Sequence, residues 1–224
     1  MFGQNKILKV ENHDGLNLDV TEIFPTIQAE GIYTGYPAVF IRLGGCNLAC
    51  KFCDTEFERY DNLALDEILK QVRQLARNDK DEVVRKLVVI TGGEPLRQPI
   101  ERLCDELIKS GFSVQIETNG TLFRQLPKAV KIICSPKSNN GKYHAIRADL
   151  LERITAFKFI VSANVGGYKE VNDLRQGKEI PIYVQPMDEY DEKKNTANIA
   201  LTLDLAMQHG YRISLQIHKI MGVR

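Results

Sequence analysis

Short apolar runs recur along the chain, separated by stretches in which apolar residues return every three or four positions. The runs 37–43 (PAVFIRL), 86–91 (KLVVIT), 112–117 (FSVQIE), 129–134 (AVKIIC), 156–161 (AFKFIV), 180–185 (IPIYVQ) and 211–217 (YRISLQI) are rich in Val and Ile. Several are apolar at nearly every position, as parallel strands covered on both faces are. Between them, Leu65, Ile68, Leu69, Val72 and Leu75 share one helical face, as do Ile100, Leu103, Cys104, Leu107 and Ile108. The second helix is expected to stop at Gly111 and a later one, around 195–209, at Gly210, because glycine takes the left-handed turn that closes a helix. Strand–helix alternation of this kind predicts βα units and a parallel sheet.

Polar motifs follow the strands. Thr91-Gly92-Gly93-Glu94, Glu117-Thr118-Asn119, Ser135-Pro136-Lys137, Gln185-Pro186 and Gln216-Ile217-His218-Lys219 all fall at C-terminal strand ends. In barrels and open parallel sheets that edge carries the active site, so the coincidence predicts one composite site. About six or seven parallel strands, in place of the eight of a closed barrel, give an α/β fold built as an incomplete, open (β/α) barrel. No repeat, low-complexity tract or Pro/Gly/Ser linker divides residues 1–224, which read as one domain with 1–21 as a lead-in segment. Residues 187–198 (MDEYDEKKNTAN) read as a charged surface connection.

Composition narrows the function classes. With 43% hydrophobic residues, 26% charged and a net charge of +1, there is no electrostatic reason to expect nucleic acid or an acidic membrane as partner. The N-terminus has no apolar core of signal-peptide type and no run approaches membrane-spanning length, so a cytoplasmic location is expected. Thiols stay reduced there, and clustered cysteines read as ligands or catalysts rather than disulfides. The odd total of five cysteines agrees.

Three of the five lie in GGCNLACKFCDTEF (44–57), at Cys46, Cys50 and Cys53. A structural zinc site usually pairs one C-x2-C with a second pair of ligands. Here Cys104 and Cys134 are isolated, and His13, His144, His209 and His218 are scattered. Iron–sulfur clusters take one thiolate per iron, so three cysteines on a four-iron cubane leave one iron open to another ligand. Cys104 and Cys134 read as small core residues. Gly44-Gly45 reads as a place where the backbone passes close to the cluster.

The C-x3-C-x2-C spacing, with Phe52 just before its last cysteine, resembles the radical S-adenosylmethionine signature. Gly92-Gly93-Glu94-Pro95 resembles that superfamily's GGE motif, whose backbone and carboxylate hold the methionyl ammonium. The resemblance implies a 4Fe-4S cluster whose open iron is chelated by S-adenosylmethionine, and a 5′-deoxyadenosyl radical released by one-electron cleavage. Closer still is the 7-carboxy-7-deazaguanine synthase family of queuosine and deazapurine biosynthesis. The matching pieces are E-x-F-x-T-x-Q-x-E-G (22–31), the strand with Arg42, CDT (53–55), TGGEP (91–95), Q-x-E-T-N-G (115–120), SPK (135–137), QP (185–186) and Q-x-H-K (216–219).

That resemblance implies ring contraction of 6-carboxy-5,6,7,8-tetrahydropterin with loss of ammonia, S-adenosylmethionine being regenerated. It implies Cys46, Cys50 and Cys53 as cluster ligands and Thr55 as the protein ligand of a magnesium ion. Phe52, Gly92, Gly93, Glu94, Asn119, Ser135, Lys137 and Gln185 are then expected around S-adenosylmethionine. Gln28, Glu30, Arg42, Thr91, His218 and Lys219 are expected around the substrate. A homodimer and a flavodoxin or ferredoxin as electron donor are implied too. Magnesium takes hard oxygen ligands, often few of them from protein, which suits a hydroxyl beside the cluster. Taken alone, Thr55 reads as a turn or N-cap residue. Glu30 suits the N–H edge of an aminopyrimidinone, and Arg42 suits a carboxylate. His218 reads alternatively as a capping or core histidine, and Asp54 either orients metal-bound water or stabilises its loop. Ala29 stands where the family has glycine, which requires that no positive φ be needed there. The rivals are a glycyl-radical activating enzyme of the same cysteine spacing, and a zinc or redox module.

Overall fold

All seven apolar runs form strands in the computed structural model, which describes residues 5–53, 55–139 and 141–223. The strands are β1 Asn17–Ile27, β2 Pro37–Leu43, β3 Asp61–Ala64, β4 Leu87–Gly92, β5 Ser113–Thr118, β6 Lys131–Cys134, β7 Ser138–Asn139, β8 Lys142–Tyr143, β9 Ile154–Val161, β10 Ile182–Pro186 and β11 Arg212–Ile213. The helices are α1 Leu65–Leu75, α2 Glu101–Lys109, α3 Ala148–Leu151, α4 Glu192–His209 and α5 Ile217–Met221. The principal sheet is ordered β11-β10-β9-β6-β5-β4-β2-β1-β3. From β2 to β11 every neighbouring pair is parallel, while β1 runs antiparallel to β2 and β3. An open, mostly parallel α/β sheet with helices over one face is the partial barrel that the strand count predicts.

Period-two alternation decides which face each side chain takes. Val39, Ile41, Val88, Ile90, Val114, Ile116, Phe157, Phe159 and Val184 pack into one core with Ile68, Leu69 and Val72 of α1 and Leu103, Cys104 and Leu107 of α2. The alternate positions face the other side and are far more polar towards the C-terminal ends. Only small clusters cover that inner face: Ala38, Leu87 and Val89 under Tyr33 and Phe40, and Ile133, Ala156 and Tyr183 under Ile32.

The glycine stops hold: Gly210 caps α4 at φ 68°, and Gly111 follows α2 at φ 85°. Ala29 carries no positive φ; the turn after β1 takes it at Gly31 and Gly35 instead, so the alanine is accommodated without strain. Cys104 and Cys134 are buried, and burial pushes both thiols up, as core residues require.

Two expectations are corrected. Residues 187–198 are not merely a surface connection: α4 begins at Glu192 behind an Asp191 N-cap, and Asn198 is fully buried. Its amide donates to the Met187 carbonyl at 2.9 Å and accepts from Ala163 N–H at 2.8 Å, which docks the helix on β9 and β10. The run 211–217 yields only Arg212–Ile213 as strand, because α5 starts at Ile217. Within residues 5–21 of the lead-in, β1 starts at Asn17, and before it Leu8 N–H donates to the Cys46 carbonyl and Glu11 N–H to the Arg97 carbonyl, each at 2.8 Å. Among the described residues, no helix is long and apolar enough to cross a membrane.

Candidate active site

The loops after β2, β4, β5, β6 and β10 meet the residues that follow β1 around a cavity of about 280 Å³. Its wall includes Cys46, Cys50, Phe52, Cys53 and Thr55 from the loop after β2. Inner-face alternation delivers Phe40 and Arg42 from β2, Thr91 from β4, Glu117 from β5, Lys158 and Ile160 from β9 and Gln185 from β10. Gly92, Gly93, Asn119, Ser135 and Lys137 come from strand ends, Gln28 and Glu30 from beyond β1, and Gln216 and His218 from the C-terminal segment.

Backbone proximity shapes the cysteine loop. A Cβ on Gly93 would overlap the Gly45 carbonyl, and one on Gly92, at φ 120°, would overlap the backbone of Leu43. Gly93 N–H donates to the Leu43 carbonyl and Glu94 N–H to the Gly45 carbonyl, both at 3.0 Å, so the two loops are laced together. Gly44 leaves room for the Tyr60 ring. From behind, the buried Arg97 donates to the Gly44 carbonyl at 3.0 Å and to Glu11 at 2.5 Å.

The donor set fits an iron–sulfur cluster on its chemistry: three soft thiols line one cavity, and Cys46 is buried. Burial, with the nearby Glu94 carboxylate adding to it, pushes the Cys46 thiol up to about 12. A thiol held so high does not ionise at neutral pH by itself and needs bound metal to become a thiolate. Among the described residues, no group of three or more His, Cys, Asp or Glu is arranged to hold a single metal ion.

The radical SAM superfamily model matches residues 40–167. Over all 224 residues the chain is 51% identical to the 7-carboxy-7-deazaguanine synthase of Rickettsia prowazekii, covering 96% of that protein. It is 35% identical to the 7-carboxy-7-deazaguanine synthase of Rhodospirillum rubrum, with both chains fully covered. Its structure is similar to the crystal structure of QueE from Escherichia coli, with a TM-score of 0.71, 25% identity, and 92% of this chain and 99% of that one covered. The chain belongs to the 7-carboxy-7-deazaguanine synthase family. These relatives favour ring contraction over glycyl-radical activation and over a zinc or redox module.

Most residues singled out from the synthase motifs meet at the cavity, but two do not reach its wall. Glu94 is wholly buried behind it: Oε1 accepts from Leu96 N–H at 3.0 Å and from the Thr118 hydroxyl at 2.7 Å, and Oε2 accepts from Asn119 N–H at 2.7 Å. Burial pushes this carboxyl up, against the pull of those three donors. Lys219 turns away as well, donating to Asp188 at 2.7 Å and lying 5.3 Å over the Tyr190 ring. Asp54 lies outside the described residues.

Several of the others are already engaged. Asn119 donates to Asn47 at 2.9 Å, fixing the cysteine loop to the end of β5. Lys137 donates to the Ser135 hydroxyl and carbonyl, each at 2.7 Å, and its charge draws the Cys50 thiol down against the larger effect of burial. Gln185 accepts from the Ser214 hydroxyl at 2.9 Å, and Phe52 packs edge-on against Tyr168. Arg42 pairs with Glu22 and lies 5.3 Å over the Phe24 ring, while its buried Nε has no partner among the described residues.

Sequence reasoning missed the polar group beneath the cavity. Lys158, buried in mid-strand, donates to both Glu30 and Glu117. Glu117 also accepts from Gln28 and Gln115, and Glu30 accepts from Gln216, each at 3.2 Å. Burial would push the Glu30 carboxyl up, but the Lys158 charge and hydrogen bond, Gln216 and His218 outweigh it and hold Glu30 below the usual carboxylate range. A lysine within the otherwise apolar AFKFIV was the available signal, because a covered strand keeps a lysine only with a partner.

Proposed function

We propose that this chain converts 6-carboxy-5,6,7,8-tetrahydropterin to 7-carboxy-7-deazaguanine with loss of ammonia, as a radical S-adenosylmethionine lyase. What carries the reading is one cavity that joins the three-cysteine loop to Gln28, Glu30, Arg42 and His218, in a chain 51% identical end to end to a 7-carboxy-7-deazaguanine synthase. A 4Fe-4S cluster held by Cys46, Cys50 and Cys53 would, with S-adenosylmethionine bound, supply a 5′-deoxyadenosyl radical for hydrogen abstraction from the pterin, the hydrogen returning to the rearranged product radical.

The chain's own residues bind and orient. Gly92 and Gly93, packed against the backbone of Leu43 and Gly45, border the cavity at the methionyl end of S-adenosylmethionine, with Glu94 fixing that loop from behind. Phe52, Asn119, Ser135, Lys137 and Gln185 surround the rest of that ligand. Glu30 and Gln28 take the aminopyrimidinone edge, where a carboxylate accepts strong charge-assisted hydrogen bonds. Arg42, with a buried N–H unsatisfied among the described residues, holds the substrate carboxylate together with His218 and Thr91. The Thr55 hydroxyl would hold a magnesium ion, which would supply a hard cation for the substrate carboxylate. We assign the protein to the cytoplasm as a homodimeric single-domain enzyme that draws electrons from a flavodoxin or ferredoxin.

Anaerobic incubation of the reconstituted protein with the tetrahydropterin, S-adenosylmethionine, magnesium and a reductant tests the assignment. Mass spectrometry is expected to find the deazaguanine acid. A fully loaded cluster that makes none would overturn the substrate reading.

A further inference from the structure

Lys158 sits at the middle of β9, paired in register with Tyr183 of β10, and its side chain rises into the inner face below the cavity. Only 4% of it is exposed, so the ammonium has left water and depends on its neighbours. Those neighbours come from distant parts of the chain: Glu30 from the turn after β1 and Glu117 from β5. One cation between two carboxylates leaves the cluster a net negative charge. That suits a ligand edge made of N–H donors.

The two carboxylates are not equivalent. Glu117 takes two donors on Oε1, from Gln28 and Gln115, and Lys158 on Oε2, which leaves it fewer open acceptor positions than Glu30. Glu30 receives one donor on each oxygen, Gln216 on Oε1 and Lys158 on Oε2. An ionised carboxylate offers about four lone-pair sites, so each Glu30 oxygen keeps one for a ligand. The two donors also fix the plane in which those lone pairs lie.

We propose that Lys158 is a positioning residue for substrate recognition: bridging Glu117 and Glu30, it sets the Glu30 carboxylate to accept the 2-amino N–H edge of the pterin. This rests on the pterin reading above and extends it to a residue that touches Glu30 rather than the ring. Discrimination should follow from it. A carboxylate fixed in plane attracts a 2-amino group and repels a 2-oxo group in the same place, because two acceptors then face each other. Without its cation, Glu30 can rotate or take up a proton, and the distinction is lost.

The test is calorimetric binding of 6-carboxypterin and 6-carboxylumazine, its 2-oxo counterpart, to cluster-loaded protein with S-adenosylmethionine, needing no turnover. Wild type is expected to prefer the pterin by tenfold or more. Lys158→Met and Glu30→Gln should each bring the ratio close to one, and the double variant should lose no more than either alone. Lys158→Met leaves two buried carboxylates without their cation and can fail to fold, so the cycle is repeated in a Glu117→Gln background, where Glu30 alone is charged. A K158M ratio equal to wild type, or losses that multiply in the double variant, would overturn the positioning role while leaving the pterin reading intact. A wild type that binds neither compound would instead overturn the pterin reading, and this inference with it.

Discussion

Thr118 donates its hydroxyl to Glu94 at 2.7 Å, tying the end of β5 to the turn that follows β4. The bond lies behind the cavity, where Glu94 gathers two backbone N–H groups as well. The carboxylate thereby joins a turn whose backbone meets the cysteine loop at Gly45 to Asn119, whose amide reaches Asn47. Glu94→Ala leaves three buried donors unsatisfied, at roughly 1–3 kcal/mol for each such group. Glu94→Gln retains one acceptor oxygen and turns an NH2 towards the remaining donors. The alanine variant is expected to be the less stable of the two, and both less stable than wild type, in urea unfolding of the cluster-free protein.

Gly93→Ala tests the lacing of the two loops directly. The new methyl would meet the Gly45 carbonyl, a backbone atom with no rotamer to give way. Overpacking of this kind costs about 1–3 kcal/mol. The variant is expected to unfold at lower urea and to retain markedly less iron after reconstitution, measured as iron per chain. Normal iron content at reduced stability would separate the packing role from the loop's role in cluster binding.

The parallel core was legible because its strands are short, covered on both sides and nearly continuous in Val and Ile; β2 falls on 37–43 as its apolar run predicts. β1 escaped that pattern. Its sequence NLDVTEIFPTI mixes polar residues and Pro25, yet Pro25 is tolerable because β3 pairs only with Asn17–Val20 and leaves that part of β1 at an edge. Cys46, Cys50 and Cys53 were legible from spacing, since all three come from one short loop. Lys158 was not, because its partners Glu30 and Glu117 lie 128 and 41 residues away in sequence. Pattern reads neighbours along the chain, whereas a buried ion pair is defined across the sheet.

The Glu30 carboxyl, held below its ordinary value of 4.5, makes a pH-dependent contribution of definite sign. A lowered value in the folded state means that the stabilisation is complete above about pH 4.5 and lost as pH falls through the folded value. The gap in urea midpoint between wild type and Glu30→Gln is therefore expected to be full at neutral pH and to narrow as the pH falls below the ordinary carboxylate value of 4.5. A gap that stayed constant would mean that Lys158 and Gln216 hold the glutamine as well as the carboxylate.

Thr55 borders the cavity beside Cys53, whose thiol donates to the Thr55 carbonyl at 3.7 Å. If its hydroxyl ligates magnesium, Thr55→Ala removes that ligand and leaves the thiols in place. The variant is expected to load its cluster and cleave S-adenosylmethionine, while turnover of the pterin no longer rises with added magnesium. Titration of initial rate against magnesium, with 5′-deoxyadenosine release as control, reads the two effects separately. An unchanged magnesium dependence would assign the metal to other ligands.

Lys219 and Asp188 pair at 2.7 Å beside the cavity, which Asp188 lines, joining α5 to the segment that leads into α4. Both side chains are partly solvated, so the pair contributes no more than about 1 kcal/mol to stability. Its effect should appear instead in the site, because α5 carries His218 and follows directly on Gln216, and both border the cavity. Lys219→Met and Asp188→Asn are each expected to raise KM for the pterin several-fold, with kcat and the urea midpoint little changed. The charge-reversed pair, Asp188→Lys with Lys219→Asp, should recover part of that loss, since it restores the attraction across the same gap. If each single variant lowers kcat as strongly as it raises KM, then Lys219 takes part in the reaction itself, and its turn towards Asp188 is not its working position.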